Sequence, residues 1–232
     1  MFRNLPRFEF LSPKTLEEAV VLMKQYGQKA KVVAGGTDLL PQMKNGESRP
    51  EYLLSLNGIE DLGWLRFDEG TGLKMGALCR IADIQGSREV RKHYPILARA
   101  ASVLGSPEIR NRGTVGGNLC NAAPSADMAP ALLVLGAQAV LASSRGERIV
   151  PLEEFFTGPG RTVLEKDELL VRLEMAPMKP GSAGEYIKLG IRKAKLFFLE
   201  FTIRKLSDIG GALLDKRCGR YHNETVDCSQ YR

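Results

Sequence analysis

Cysteine is scarce and unpatterned in this 232-residue chain. Cys79, Cys120, Cys218 and Cys228 form no Cys-x-x-Cys pair, which argues against a zinc ribbon or a disulfide framework and favours reduced thiols in a cytoplasmic setting. Histidine is rarer still, with only His93 and His222, and no Ser-His-Asp or Cys-His set is visible; His93 sits beside Arg91 and Lys92 and reads as a surface residue. No apolar run approaches the length of a membrane span, and residues 1–7 lack the apolar stretch of a secretory signal. Two nucleotide fingerprints are also missing. Without Gly-x-Gly-x-x-Gly opening a helix or Gly-x-x-x-x-Gly-Lys-Ser/Thr, a Rossmann domain and a P-loop NTPase are both disfavoured. The net charge of +6 is concentrated after residue 190, and no basic stripe is interleaved with aromatics, so nucleic acid is not the expected partner.

What the chain has is an ordinary soluble composition, 44% hydrophobic and 26% charged, and length enough for one sizeable core or two smaller ones. It also has two glycine-rich stretches far apart, Val33-Ala34-Gly35-Gly36-Thr37-Asp38-Leu39-Leu40 and Gly113-Thr114-Val115-Gly116-Gly117-Asn118-Leu119. Adjacent glycines let backbone N–H groups converge on one point and admit a ligand where a Cβ would clash. A Gly-Gly pair is often only a tight turn. Two such stretches, each with Thr, Asp or Asn placed to hydrogen-bond, read as a pyrophosphate gripped from both sides.

The pattern predicts a mixed α+β protein. Residues 1–57 read as a small β-α-β unit. Its helix runs from about Thr15 to Tyr26, opened by the capping box Thr15-Leu16-Glu17-Glu18 and stopped by Gly27. Residues 30–34 then form a short strand that delivers the chain to Gly35-Gly36. Residues 39–44 make a helical turn and residues 52–56 a further strand. A larger subdomain, 58–194, begins with a hairpin of residues 62–67 and 73–78. A helix over 96–104 follows, and Gly105-Ser106-Pro107 ends it, with a loop leading to the second glycine stretch. An alanine- and leucine-rich helix from Pro124 or Ser125 to Leu135, a hairpin of 138–142 with 148–152, and strands at 168–175 and 185–189 complete it. The tail, 195–232, loses clear period. Its Cys218, His222 and Cys228 lack a fourth partner and read as incidental, not as a metal site.

The residues Ala34-Gly35-Gly36-Thr37-Asp38-Leu39-Leu40, with the long run Gly113-Thr114-Val115-Gly116-Gly117-Asn118-Leu119-Cys120-Asn121-Ala122-Ala123-Pro124-Ser125-Ala126-Asp127, resemble the FAD-binding (medium) subunit or domain of molybdenum hydroxylases. That family includes carbon monoxide and xanthine dehydrogenases. The resemblance spans about residues 5–194. It implies a two-subdomain FAD-binding fold of the vanillyl-alcohol-oxidase type, with FAD in the cleft and both glycine loops on its diphosphate. Matched motif to motif, the first FAD loop is Val32, Val33, Ala34, Gly35, Gly36, Thr37, Asp38 and Leu39. The second is Thr114, Gly116, Gly117 and Asn118. Asp127 would bind the adenosine end, and Leu104, Leu170 and Lys188 would line the cofactor. Each of the last four has a plainer reading. Asp127 would suit the first turn of a helix on dipole grounds alone, Lys188 could be a solvated strand lysine, and the leucines could be core. Cys120 reads as a small buried apolar residue.

The resemblance further implies an electron-transfer role. FAD would take electrons from a [2Fe–2S] iron–sulfur subunit, wired to a molybdopterin-binding large subunit, and pass them to an acceptor such as NAD or a quinone. No side chain of this chain is expected to act as catalytic acid or base, and no metal ligands are expected. The cysteine-rich insertion of the 4-hydroxybenzoyl-CoA reductase branch is absent. The alternatives are a free-standing flavin reductase or oxidase of the same fold, or a truncated product. The second arises because the resemblance fades near Ala194, where an altered reading frame would explain the change of character and the lack of the family's C-terminal domain.

Overall fold

The computed structural model describes residues 4–192 and 195–205. Residues 4–55 build a three-stranded parallel sheet ordered β1-β3-β2: β1 is Glu9–Leu11, β2 Ala30–Val33 and β3 Tyr52–Ser55. Helix α1, Leu16–Tyr26, joins the first two strands, and α2, Leu39–Asn45, joins the second and third. Strand β1 escapes a sequence reading because Glu9-Phe10-Leu11 is too short to show a period. Helix α1 starts where its cap signal sits, with the Thr15 hydroxyl accepting from Glu18 N. The reciprocal arm lands one residue early, since Glu18 Oε2 accepts from Lys14 N at 2.7 Å. The cap thus satisfies one helix-end donor, Glu18 N, and Glu18 in return satisfies the amide just before the cap.

The centre of the molecule is a five-stranded antiparallel sheet ordered β4-β5-β10-β6-β7. Here β4 is Leu65–Asp68, β5 Gly72–Gly76, β6 Gln138–Ser143, β7 Gly146–Pro151 and β10 Leu169–Met175. The expected hairpins are both present; the first begins three residues late because Glu60–Leu62 coils into a 3₁₀ turn. Between β5 and β6 lie six short helices: α3 Ile81–Gly86, α4 Arg88–His93, α5 Pro95–Val103, α6 Pro107–Arg112, α7 Val115–Asn121 and α8 Met128–Val134. After β7 come α9 Leu152–Phe155 and the small pair β8 Phe156–Gly158 and β9 Arg161–Thr162. Finally β11, Ser182–Arg192, pairs antiparallel with β12, Lys195–Lys205. Residues 206–232, including Cys218, His222 and Cys228, lie outside the described residues.

Three expectations change. The segment after Gly105 is helix α6, not a loop: Ser106 caps it through Ile109 N and Pro107 takes its first turn, so the Ser-Pro pair that closes α5 also opens α6. The second glycine stretch is likewise helical, with Val115–Asn121 forming α7 behind the Thr114 cap. The alanine-rich helix starts at Met128, several residues later than Pro124 or Ser125.

Helices α3, α5, α7 and α8 cover one face of the five-stranded sheet and share its largest core, including Leu73, Met75, Leu97, Leu119, Leu132 and Leu173. On the other face, Ala19, Val20 and Met23 of α1 meet Val140, Ala142, Leu169 and Val171, and this seam joins the two sheets. Burying Val20 and Met23 there is worth about 1.5–3 kcal/mol each. A bulge between Leu170 and Arg172 makes the seam possible. It reverses the parity of β10, so Leu169 and Val171 face α1 while Leu173 and Met175 face the helices.

Candidate functional site

The two glycine stretches meet. A Cβ on Gly35 would collide with the Arg112 carbonyl, and one on Gly113 would stand 3.7 Å from Thr37 Oγ1. The first loop therefore rests on the backbone that leads into α7. Gly36 has φ +72°, a conformation that costs an L residue energy, and it turns the chain from β2 into α2. Asn57 steadies the same loop by donating Nδ2 to Ala34 O at 3.0 Å.

Around this contact opens a cavity of about 590 Å³, within the size range of cofactor sites. The first loop from Val32 to Leu39 lines it, as do Thr114, Gly116, Gly117, Asn118, Asp127, Leu104 and Leu170. Lys188 does not. It stands behind Asp127, with Nζ 2.9 Å from Asp127 Oδ1 and 3.0 Å from Val103 O.

The two stretches differ in what their amides do. In the first, the N–H groups of Gly35, Gly36, Thr37 and Asp38 make no hydrogen bond to another described residue. In the second, Val115 N donates to Cys79 O, Gly116 N to Ala77 O, Gly117 N to Thr114 Oγ1 and Asn118 N to Thr114 O. The expectation of two amide cradles is thus corrected: one stretch holds donors open, and the other uses them to seat α7 on the end of β5. Gly116 is required by that seat, since its Cβ would lie 2.7 Å from both Ala77 Cβ and Ala77 O. What α7 offers the cavity is side-chain chemistry. Asn118 Oδ1 accepts from Met128 N, which leaves its Nδ2 as the donor available to a ligand.

Asp127 is buried at the N-cap of α8 but makes no capping bond. Its carboxylate accepts instead from Tyr186 Oη at 2.9 Å and from Lys188 Nζ. The helix-dipole account of this acid is therefore replaced by an ion pair that ties β11 to α8. Burial, followed by the Asp127 charge and hydrogen bond, pushes the Tyr186 phenol well above its usual range, so it stays a donor.

Several wall residues carry no sequence signal. Ile81, Ile109, Leu164 and Lys31 line the cavity because of where the chain passes. Arg110 fixes the Leu104-Gly105 turn by donating to both carbonyls, at 3.0 and 3.1 Å. Cys120 lines the cavity and is exposed as a residue, whereas Cys79 is buried; burial pushes both thiols up to about 12, so neither is a ready thiolate. Among the described residues no group of His, Cys, Asp and Glu could hold a metal ion, and no helix is long and apolar enough to cross a membrane.

This architecture matches known proteins. A carbon monoxide dehydrogenase medium chain from Hydrogenophaga pseudoflava is 38% identical over 184 residues, covering 79% of this chain and 64% of the relative. A nicotinate dehydrogenase FAD-subunit from Eubacterium barkeri is 38% identical over 191 residues, covering 81% and 64%. This chain thus spans a little under two thirds of those relatives. A solved structure of reconstituted CO dehydrogenase from Oligotropha carboxidovorans superposes with a TM-score of 0.82 at 31% identity, covering 88% of this chain and 70% of that one. Residues 6–177 match the family described as the FAD binding domain in molybdopterin dehydrogenase, and the chain belongs to that family.

Proposed function

We propose that the cavity holds FAD, with the diphosphate on the open amides of Gly35 to Asp38, and that the protein is the electron-transfer subunit of a molybdenum hydroxylase. The observation that carries this reading is the first loop: four successive N–H groups without a described partner, lining a cavity that Leu104, Leu170, Ile81 and Ile109 also line. Anionic oxygens are the ligands that such a backbone concavity favours. Thr114 and Asn118 add side-chain donors from the opposite side. Asp127 keeps acceptor capacity for sugar hydroxyls, and Leu104 and Leu170 offer flat apolar surface to a ring.

When bound, FAD supplies a carrier that exchanges electrons singly or in pairs. The residues of this chain bind and orient it and exclude water from its walls; none is assigned a proton-transfer role. Electrons would arrive from a [2Fe–2S] subunit served by a molybdopterin-binding large subunit and leave to an acceptor such as NAD or a quinone. Relatives named as medium chains and FAD subunits of carbon monoxide and nicotinate dehydrogenases support this division of labour. The free thiols Cys79 and Cys120 fit the cytoplasmic setting expected for such a complex.

The test is a spectrum and a capture. The purified chain is expected to bind FAD with visible absorption and to prefer it over FMN, which lacks the second phosphate and the adenosine. Expressed with its neighbouring genes, it should co-purify with an iron–sulfur subunit and a large subunit. A colourless chain indifferent to added FAD, or a lone chain that oxidises an organic substrate, would refute the reading.

A further inference from the structure

We propose that Arg148 and Glu168 are positioning residues for this site, acting through Leu164; the proposal rests on the FAD reading above. Residues 163–168 connect β9 to β10 without sheet pairing of their own, yet Leu164 forms part of the cavity wall. Its backbone is clamped on both sides. On one side Arg148 Nη2 donates to Val163 O at 3.1 Å. On the other, Glu168 Oε2 accepts from Glu165 N at 2.8 Å. The two clamps are one unit, since the Arg148 guanidinium forks onto the Glu168 carboxylate at 2.7 Å through each arm.

A surface ion pair would be a weak device. Here the acid side chain is only 2% exposed, so water competes poorly for it. The fork also fixes direction as well as distance. Arg145 holds the outer side of the same segment through Glu165 at 2.8 Å and Asp167 at 3.1 Å. Glu168 itself lines the cavity beside Leu164, but its carboxylate is taken up by Arg148 and by Glu165 N, so its effect on a bound ligand is exerted through the wall it holds in place. This arrangement converts a sheet-edge ion pair on β7 into control of one apolar contact some fifteen residues further along the chain.

The experiment titrates the full chain with FAD and records the visible circular dichroism of the bound flavin. Glu168→Gln and Arg148→Lys should each weaken FAD binding by about tenfold and change the visible dichroism. Leu164→Ala should do the same. In the Leu164→Ala background the other two substitutions should add little, because residues acting through one contact are not additive. Arg172→Gln breaks an ion pair with Glu147 and Glu174 that lies away from the cavity, and it should leave both readouts unchanged. If Glu168→Gln does not fold, Arg148→Lys carries the test, since it keeps the charge and loses only the fork. Unchanged affinity and dichroism in Arg148→Lys, or losses that add in full to Leu164→Ala, would overturn the proposal. A wild-type chain that takes up no flavin would instead overturn the FAD reading itself, and this inference with it.

Discussion

The two glycine stretches look alike as strings and do opposite work. Gly35 and Gly36 leave their amides open and turn the chain through a positive φ at Gly36. Gly116 and Gly117 lie in the first turn of α7, where every amide from Val115 to Asn118 is already engaged. Gly35 combines an open N–H with a missing Cβ that Arg112 requires, whereas Gly116 needs only the missing Cβ, its N–H being engaged. Only the neighbouring backbone tells them apart. In the second stretch that neighbour is Ala77, at the end of β5, and in the first it is Arg112, at the entrance to the second.

This contrast can be broken by substitution, and the largest effect belongs to the second stretch. Gly116→Val drives a branched side chain into Ala77 and should cost about 3 kcal/mol or more, lowering Tm by roughly 10 °C in thermal unfolding without FAD. An unchanged Tm would mean that α7 is not seated as described. Gly35→Ala should act on fold and ligand together. Its Cβ meets the Arg112 carbonyl and pries the loops apart, so Tm should fall as well and FAD affinity should drop by about a hundredfold, or about 2.7 kcal/mol. Undiminished FAD affinity in Gly35→Ala would erase the distinction.

Acid provides a third probe, away from the glycines. The Arg148 hydrogen bonds hold the Glu168 carboxyl below its ordinary value of 4.5, with the Glu165 N–H adding to this against the cost of burial. A carboxyl whose pKa is depressed by folding stabilises the native state above its unfolded pKa, and that stability is lost as pH falls through the lower native value. Glu168→Gln should therefore cost about 2 kcal/mol at neutral pH and flatten the loss of stability below about pH 4.5. Denaturant unfolding across that range checks the sign. The smallest effect is expected at Gly117, whose Cβ would meet Thr114 Oγ1 at 3.0 Å and Ala34 Cβ at an ordinary 3.9 Å. Gly117→Ala should shift stability by less than about 1 kcal/mol, since alanine favours the helix. It should still weaken FAD binding severalfold, which isothermal titration would resolve.

Local signals were legible wherever a short stretch carries its own physics. The Thr15 cap, the Gly27 stop, the β6–β7 hairpin and helix α5, expected over 96–104, all lie close to where the sequence places them. So do most of the cavity residues, because the motif that names them is contiguous. Legibility failed where one signal serves two elements, as Ser106-Pro107 does. It also failed where a strand is only three residues long, as β1 is, and where a side chain's partner comes from far along the chain, as Lys188 reaches Asp127.

The amino-acid sequence by itself determined the family, the mixed α+β character and the two glycine stretches, which meet at one cavity. These follow from residue identity at fixed spacing, and a backbone without Cβ or a hydroxyl before a helix acts over only a few residues. The tertiary structure alone decided which amides stay open, which leucines and isoleucines become walls, and that Asp127 answers to Tyr186 and Lys188 and not to its helix. Those outcomes depend on hydrogen-bond partners and packed surfaces that meet only when distant segments fold together, and no local pattern encodes the meeting.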